Sequence, residues 1–554
     1  MAKIKTQLPR VAYFCMEYGL TSNFKIYAGG LGILAGDYLK GAKDYGYPIV
    51  GIGILWKQGY GDQMLDANGQ PFDAYHNNKY DFLKDTGVSV DVEIRGRNVK
   101  CKAWLCDNYG NAPLYLLDTD LPENADAWIS GQLYGWFGEE RIAQEMVLGI
   151  GGVRALRALG IEVDVYHFNE GHALFAGFEL LREEREGKSQ KAKGKSDAGR
   201  HSITFKKALK NVREKIVFTT HTPIIQGNES HPIDRILYMG ANMGLTGKQL
   251  EKLGGEPFNM TVGALHLSRK SNAVAQLHGV TANDMWKHIK RRSEIIAITN
   301  GIHIPTWVDK SMLDAAKGKG DIWESHLKNK KALVKYVEQR TGTKLDANKL
   351  IIGFSRRAVG YKRSDLIFGD KKIIEPLLKN RTLQIIFSGK SHPLDDQGKA
   401  IVANLVAMSK KYPRSVVFLE NYDMEIGAAL TRGVDVWLNN PVRPKEASGT
   451  SGMKAAMNGA LNLSILDGWW PEACQHGVNG WAIGDETVLD DPAAQDAHDR
   501  AALYKVLTEE VIPTFYEKHD KWVRMMKASI NSTREAFSVK RMLEEYYSLL
   551  YQSK

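Results

Sequence analysis

The densest run of chemistry-bearing residues in the chain is Glu446-Ala447-Ser448-Gly449-Thr450-Ser451-Gly452-Met453-Lys454. It follows an apolar run, Val434 to Leu438, that reads as a buried strand, and a polar loop, Asn439 to Lys445. A helical pattern comes next, then a second apolar strand, Leu461 to Leu466. Backbone N–H groups at the mouth of a helix have no intrahelical partner, so such a turn can hold a phosphate. Glycines let the anion approach the backbone closely. Lys454, about one turn into the helix, then falls beside the anion. It can act as a counter-charge, or carry an aldehyde cofactor as a Schiff base whose own phosphate fills the cradle. The turn alone is also compatible with a plain glycine-rich loop and a solvated lysine. It is not a Walker loop, because the G-x-x-x-x-G-K-[ST] spacing is absent.

A second group is basic. Arg356, Arg357, Lys362 and Arg363 lie close behind an apolar strand, Leu350 to Phe354. Guanidinium forks bind phosphate bidentately and lysine adds a point charge, although a solvated basic loop has the same composition. Further candidates sit at other strand ends. His221 precedes a Thr-Pro, where a lone histidine is more often structural. Asn300 and Glu446 suit sugar hydroxyls or loop bracing. Trp56, Trp469 and Trp470 offer flat faces suited to sugar rings, core packing being the commoner use. Tyr27 to Asp37, containing Gly29 and Gly30, is a second glycine loop opening a helix. No pair of carboxylates stands out as a hydrolase acid and nucleophile.

These residues need a scaffold that brings strand ends together. Apolar runs at Val11–Tyr18, Pro48–Trp56, Val163–Phe168, Lys215–Thr219 and Ile295–Ile298 alternate with helical patterns, including one over Ala143–Leu159. After a pause around residues 301–320 the rhythm restarts at Leu350, Leu383, Ser415 and Val434. A long helical segment, Ala501 to Leu550, closes the chain. Continuous apolar strands alternating with helices mark parallel sheets covered on both faces. In such sheets ligands bind at the carboxyl ends of strands, so two such halves imply a cleft between them.

Composition bounds the rest. The chain has 554 residues, 43% hydrophobic and 25% charged, ordinary for a globular protein of two or more domains. The net charge of +10 could suggest nucleic acid. Much of that excess, however, lies in the lysine-rich stretch Arg182–Lys215, which reads as a solvated, mobile insertion, and neither zinc-finger spacing nor an RNP-type motif occurs. The four cysteines read as reduced thiols. The N-terminus lacks a signal-peptide pattern and no apolar stretch spans a bilayer, so a cytoplasmic setting with no membrane partner is expected.

The motif Glu446 to Lys454, followed by Asn458-Gly459-Ala460, resembles the cofactor-lysine motif of the glycogen/α-glucan phosphorylases, usually E-A-S-G-T-G-N-M-K. Ser451 and Gly452 depart from that form. With Leu466-Asp467-Gly468-Trp469-Trp470, the departure resembles the short bacterial branch. The match runs in order from about residue 11 to 475. The resemblance implies the GT-B fold: two Rossmann-like domains facing across a cleft, here 1–305 (with the basic insertion at about 186–203) and 306–525. A final helix, 526–554, returns to the first domain. It implies pyridoxal 5'-phosphate on Lys454, its phosphate held by Gly449, Thr450 and Ser451. Arg356, Tyr422 and Gly30 stand near that cofactor. Arg357 and Lys362, in Arg356-Arg357-Ala358-Val359-Gly360-Tyr361-Lys362-Arg363, match the binders of the substrate phosphate. The lysine-to-arginine change at Arg356 keeps the charge and alters the geometry. Gly29, Gly30, Asn300, Glu446, His221 and Glu17 match residues around the reacting glucosyl unit, and no metal is implied. The implied reaction is release of glucose 1-phosphate from an α-1,4-glucan by orthophosphate, with retention. The regulatory region of the animal enzymes has no counterpart here, so their switches are expected to be absent. A homodimer is one option for the assembly.

Overall fold

The computed structural model describes residues 8–135, 137–191 and 204–552. The expectation of a mobile basic insertion falls, from residue 192 to 203, outside the described residues. The chain forms two α/β halves, each built on a twisted sheet with helices on its faces, and the expected two-domain α/β architecture is what is found.

The main sheet of the first half has nine strands. Its centre is Val11–Phe14, four buried apolar residues paired in parallel with Ile49–Ile54 on one side and Val165–Asn169 on the other. Beyond Val165–Asn169 the sheet continues in parallel through Ile216–Thr219, Lys270–Ala273 and Glu294–Ala297. Beyond Ile49–Ile54 it adds Leu114–Asp118 in parallel and then Arg97–Cys106 and Lys84–Ile94 as an antiparallel pair. Strand order therefore reverses at Val11–Phe14. That is the switch point where neighbouring connections leave in opposite directions and open a crevice.

The second half is a six-stranded, wholly parallel sheet: Val416–Leu419, Leu383–Ser388, Leu350–Ser355, Val436–Asn439, Leu461–Ile465 and Gly480–Ile483. Its switch point lies between Leu350–Ser355 and Val436–Asn439. The Arg356–Arg357 pair leaves from the first of these strands and the loop to Glu446 from the second. A buried triad anchors the sheet to the crossover helix Ile322–Thr341: Asp435 accepts from Lys330 at 2.6 Å, His326 at 2.9 Å and the Ile351 N–H at 2.8 Å.

Several elements differ from the sequence reading. The helix expected over Ala143–Leu159 is two α-helical pieces, Glu139–Met146 and Gly152–Ala158, joined by a π turn at Val147–Gly151. Gly151 lets it run against the sheet, and Gly149 lets it meet the helix Phe175–Lys191; a Cβ on Gly149 would stand 2.4 Å from the Ala176 nitrogen. The expected closing helical segment is several helices. His519–Thr533 packs on the second half through Trp522, Met525, Met526 and Ile530. Only Val539–Tyr551 lies on the first, through Val539, Met542, Leu543 and Leu550. The crossing is pinned by backbone hydrogen bonds between Ile302 and residues Phe537 and Val539.

The halves also touch across a small hairpin, Asp62–Leu65 with Pro71–Ala74. Gln63 bonds Ser391, and Asp62 accepts from Lys25 at 2.6 Å and Asn421 at 3.0 Å. No helix among the described residues is long and apolar enough to cross a membrane.

Candidate functional site

The motif forms the turn and helix its residue types dictate. Gly449 is the N-cap of helix Thr450–Met457 at φ +88, a left-handed conformation that favours glycine. No side chain caps this helix, and the N–H groups of Gly449, Thr450 and Ser451 have no acceptor among the described residues. Gly452 is small for a different reason. A Cβ there would stand 2.6 Å from Asn462 Oδ1 and 2.9 Å from Trp469 Nε1. Asn462 Nδ2 also donates to the Gly452 carbonyl at 3.0 Å. This backing accounts for a glycine where the resemblance had a departure.

Two adjacent arginines behave differently. Arg356 is half-buried with its side chain 7% exposed; it donates to Asn439 Oδ1 at 2.6 Å, reaches Ser451 Oγ at 3.4 Å, and pairs closely with Glu446. Lys362 donates to the same Glu446 oxygen at 2.8 Å. Burial alone would raise the Glu446 carboxyl, but Arg356 and Lys362 hold it below the usual range. Burial, with Arg356 beside it, lowers the Lys362 ammonium to about 7. Arg357, by contrast, is exposed and makes no hydrogen bond or ion pair among the described residues. It points into a cavity of about 290 Å³ between the halves, lined by Leu31, Tyr134, Glu170 and His221 of the first and by Tyr361 and Lys445 of the second.

His221 is half-buried and neutral, because desolvation of its ring holds the imidazole down at about 3. Its Nε2–H donates to Asn169 Oδ1 at 2.7 Å, which leaves Nδ1 as an acceptor. Its backbone N–H donates to Glu170, which also accepts from Thr222 Oγ1 at 3.1 Å. Glu170 itself holds φ +78, an uncommon conformation for a side chain and of the kind that gathers at working sites.

The first glycine loop opens helix Gly30–Asp44. Glu17 braces it, accepting from the Ala28 and Gly29 N–H groups at 2.6 and 3.0 Å and from Tyr134 at 3.0 Å. Both Glu17 oxygens are thus engaged by the protein. A Cβ on Gly29 or Gly30 would meet nothing within 4 Å, so the loop faces open space. Burial raises the Glu17 carboxyl above the usual range, against the pull of its hydrogen bonds and of the Arg357 charge.

Of the expected residues, His221 and Arg357 share the cavity, and Arg356, Lys362, Glu446, Gly449 and Ser451 converge at the motif turn. Asn300 lines neither, but its Oδ1 is buried without a partner. Tyr422 packs against Gly427; burial pushes its hydroxyl up to about 12. Trp56, Trp469 and Trp470 are fully buried, so core packing, the commoner of the two uses expected for them, is what is found, and sugar stacking on those faces is not. Trp56 donates to the Met16 carbonyl at 2.8 Å and Trp470 to that of Trp481 at 3.2 Å.

Lys454 is buried, with Nζ 3.5 Å from the centre of the Trp307 ring and no hydrogen bond among the described residues. Burial lowers its ammonium to about 8. The Ser448 hydroxyl, also buried, has no partner among the described residues. A free amine, open N–H groups at a helix mouth, an unpaired hydroxyl and an arginine form the donor set that a phosphorylated aldehyde requires. Sequence reasoning missed three groups around this set: Trp307, Asp37 and Asp467. Asp467 accepts the Glu446 N–H at 2.9 Å and, buried, is raised to about 7. A buried acid in a strand-end L-D-G-W was the available signal.

A profile of the carbohydrate phosphorylases matches residues 310–476. The chain is 38% identical to the maltodextrin phosphorylase of Thermococcus litoralis, over 98% of this chain and 70% of that one. It is 35% identical to the glycogen phosphorylase of Aquifex aeolicus, over 98% and 86%. An uncharacterised Methanocaldococcus jannaschii protein is 36% identical over 98% of this chain and 99% of its own length.

Proposed function

The chain belongs to the carbohydrate phosphorylase family, and on that premise we propose that it is an α-1,4-glucan phosphorylase. It transfers the terminal glucosyl unit of glycogen, starch or maltodextrin to orthophosphate, releasing glucose 1-phosphate. The observation that carries this reading is Arg357, a guanidinium with no hydrogen bond or ion pair among the described residues, facing the cavity it shares with His221.

Arg357 and Lys362 hold orthophosphate as a charged, hydrogen-bonded anion. Glu446 and the His221 Nδ1 acceptor bind glucosyl hydroxyls. The open face at Gly29 and Gly30 admits the reacting groups without a side chain in the way. As the glycosidic bond breaks, the anomeric centre gains positive character. Orthophosphate, placed by Arg357, protonates the leaving oxygen and attacks from the same side, so configuration is retained. The facing halves exclude water and so favour phosphate over hydrolysis.

Lys454 is the anchor for pyridoxal phosphate, with the N–H groups of Gly449, Thr450 and Ser451 and the Arg356 guanidinium around the cofactor's phosphate. When bound, the cofactor supplies a second phosphoryl group with which the substrate phosphate exchanges a proton. Arg356 and Lys362, held together on Glu446, concentrate positive charge at this end of the site, where it would stabilise bound anions. A cytoplasmic setting fits the four free cysteines and a stored-glucan substrate.

The test is an assay with maltodextrin and orthophosphate. Glucose 1-phosphate is expected, in proportion to phosphate and lost in Lys454→Ala. Its absence at saturating glucan and phosphate overturns the proposal. A fully active Lys454→Ala protein favours instead a nucleotide-sugar glucosyltransferase on the same fold.

A further inference from the structure

Lys454 comes from the second half of the chain, but the charges that face it come from the first. Asp37 lies on helix Gly30–Asp44, the helix that the first glycine loop opens, and is 1% exposed. Burying a carboxylate is costly unless donors or a cation compensate it. Here both oxygens accept from Trp307 Nε1 at 2.9 Å, and one also accepts from the His303 N–H at 3.2 Å.

The opposite use of the same indole faces Lys454, whose Nζ stands over the ring. Trp307 is therefore a plate between two charges, its N–H edge toward the carboxylate and its π face toward the ammonium. A carboxylate on the N–H edge makes the ring face more attractive to a cation.

Lys40, one turn beyond Asp37, donates to the Leu20 carbonyl at 2.8 Å and to Thr306 Oγ1 at 3.1 Å. The remaining charges around this wall are spoken for. His303 bonds Thr306 Oγ1 and Asp44, and Arg432 donates to the carbonyls of Trp307 and Thr306. Asp309 caps the helix that follows.

We propose that Asp37 is a positioning residue for Lys454: acting through Trp307, it fixes and biases the ammonium, with Lys40 as the opposing charge. The cofactor anchor on one half of the chain is thereby set by a helix of the other. The inference rests on the reading that Lys454 carries pyridoxal phosphate. The electrostatics agree with the geometry. Burial pulls the Lys454 ammonium down, Asp37 pulls it up and Lys40 pulls it down. Condensation of the amine with an aldehyde expels one water and requires the neutral amine, so these charges set the pH at which the cofactor is taken up.

The experiment uses the full chain stripped of cofactor and mixed with pyridoxal phosphate. The rate of capture is followed by absorbance between about pH 6 and pH 9, a range that brackets a lysine displaced by its surroundings. Asp37→Asn keeps an acceptor for Trp307 and is expected to lower the midpoint of the rate profile by about one unit. Lys40→Met is expected to raise it by less. A folded Asp37→Asn protein with the wild-type midpoint overturns the proposal, as does a Lys40→Met midpoint that stays or falls. If Asp37→Asn does not fold, the Lys40→Met result decides. Failure of the underlying reading looks different: the wild-type chain captures no cofactor, or Lys454→Ala captures it equally well.

Discussion

The two glycine loops begin alike, each lying behind a buried parallel strand and opening a helix, yet they end as different devices. At the first, Gly29 is extended (φ −159), its N–H is taken by Glu17, and the space beside Gly29 and Gly30 is open. At the second, Gly449 is left-handed, its N–H has no acceptor among the described residues, and a Cβ there would touch Glu446 and Arg356 at 3.5 and 3.6 Å. The difference teaches that glycine serves access in one loop and backbone shape in the other. A loop whose Ala28 and Gly29 N–H groups are held by Glu17 and whose glycines face open space suits a substrate that comes and goes. One with free N–H groups beside a buried lysine suits a resident anion.

The sharpest way to break this comparison is to remove the lysine. Lys454→Ala is expected to abolish bound cofactor and reduce phosphorolysis to background, read by absorbance and by glucose 1-phosphate release; retained activity would separate the second loop from the chemistry. Next is Arg357→Ala. A charge-assisted hydrogen bond contributes about 1.5–3 kcal/mol, so the phosphate KM should rise roughly 10- to 100-fold while glucan KM and melting temperature hold. Equal weakening of both substrates would remove Arg357 from its role.

The loops themselves come third. Gly449→Ala forces a side chain into the left-handed region, a cost of about 1–2 kcal/mol, and should lower the melting temperature. Gly29→Ala faces no such strain and should leave stability within about 0.5 kcal/mol, yet reduce turnover by filling the open space. If both variants lose the same stability, the distinction between access and shape fails.

The smallest effect is in pH. Lys362, lowered to about 7 by burial and Arg356, binds phosphate in its protonated form. Its contribution is full below that value and is lost as pH rises through it. Phosphate KM should therefore climb above about pH 7 in the wild type, and Lys362→Met should flatten that climb.

Much of this arrangement was legible in the sequence because the apolar strands announce themselves. Val11–Phe14, Leu350–Ser355 and Val436–Asn439 are continuous buried runs, and the motif residues follow from their ends. Lys270–Ala273 escaped notice because its core contacts are polar. Ser271 bonds Ser293, and Asn272 Oδ1 accepts from Thr219 at 2.6 Å, so hydrogen bonds fill places that apolar side chains fill elsewhere. Asp37 and Trp307 were missed for another reason. Their meeting joins residues 270 positions apart, and no local pattern encodes which half a charge will face. The tryptophans show the reverse limit: a flat apolar face suits a sugar or a core equally, and only burial separates the two.

The most direct measurement is the structure of the cofactor-loaded chain with orthophosphate bound. The account expects the anion in the crevice, within hydrogen-bond distance of the Arg357 guanidinium and next to the turn that begins at Gly449. An anion bound elsewhere, with Arg357 still unpartnered, would contradict it.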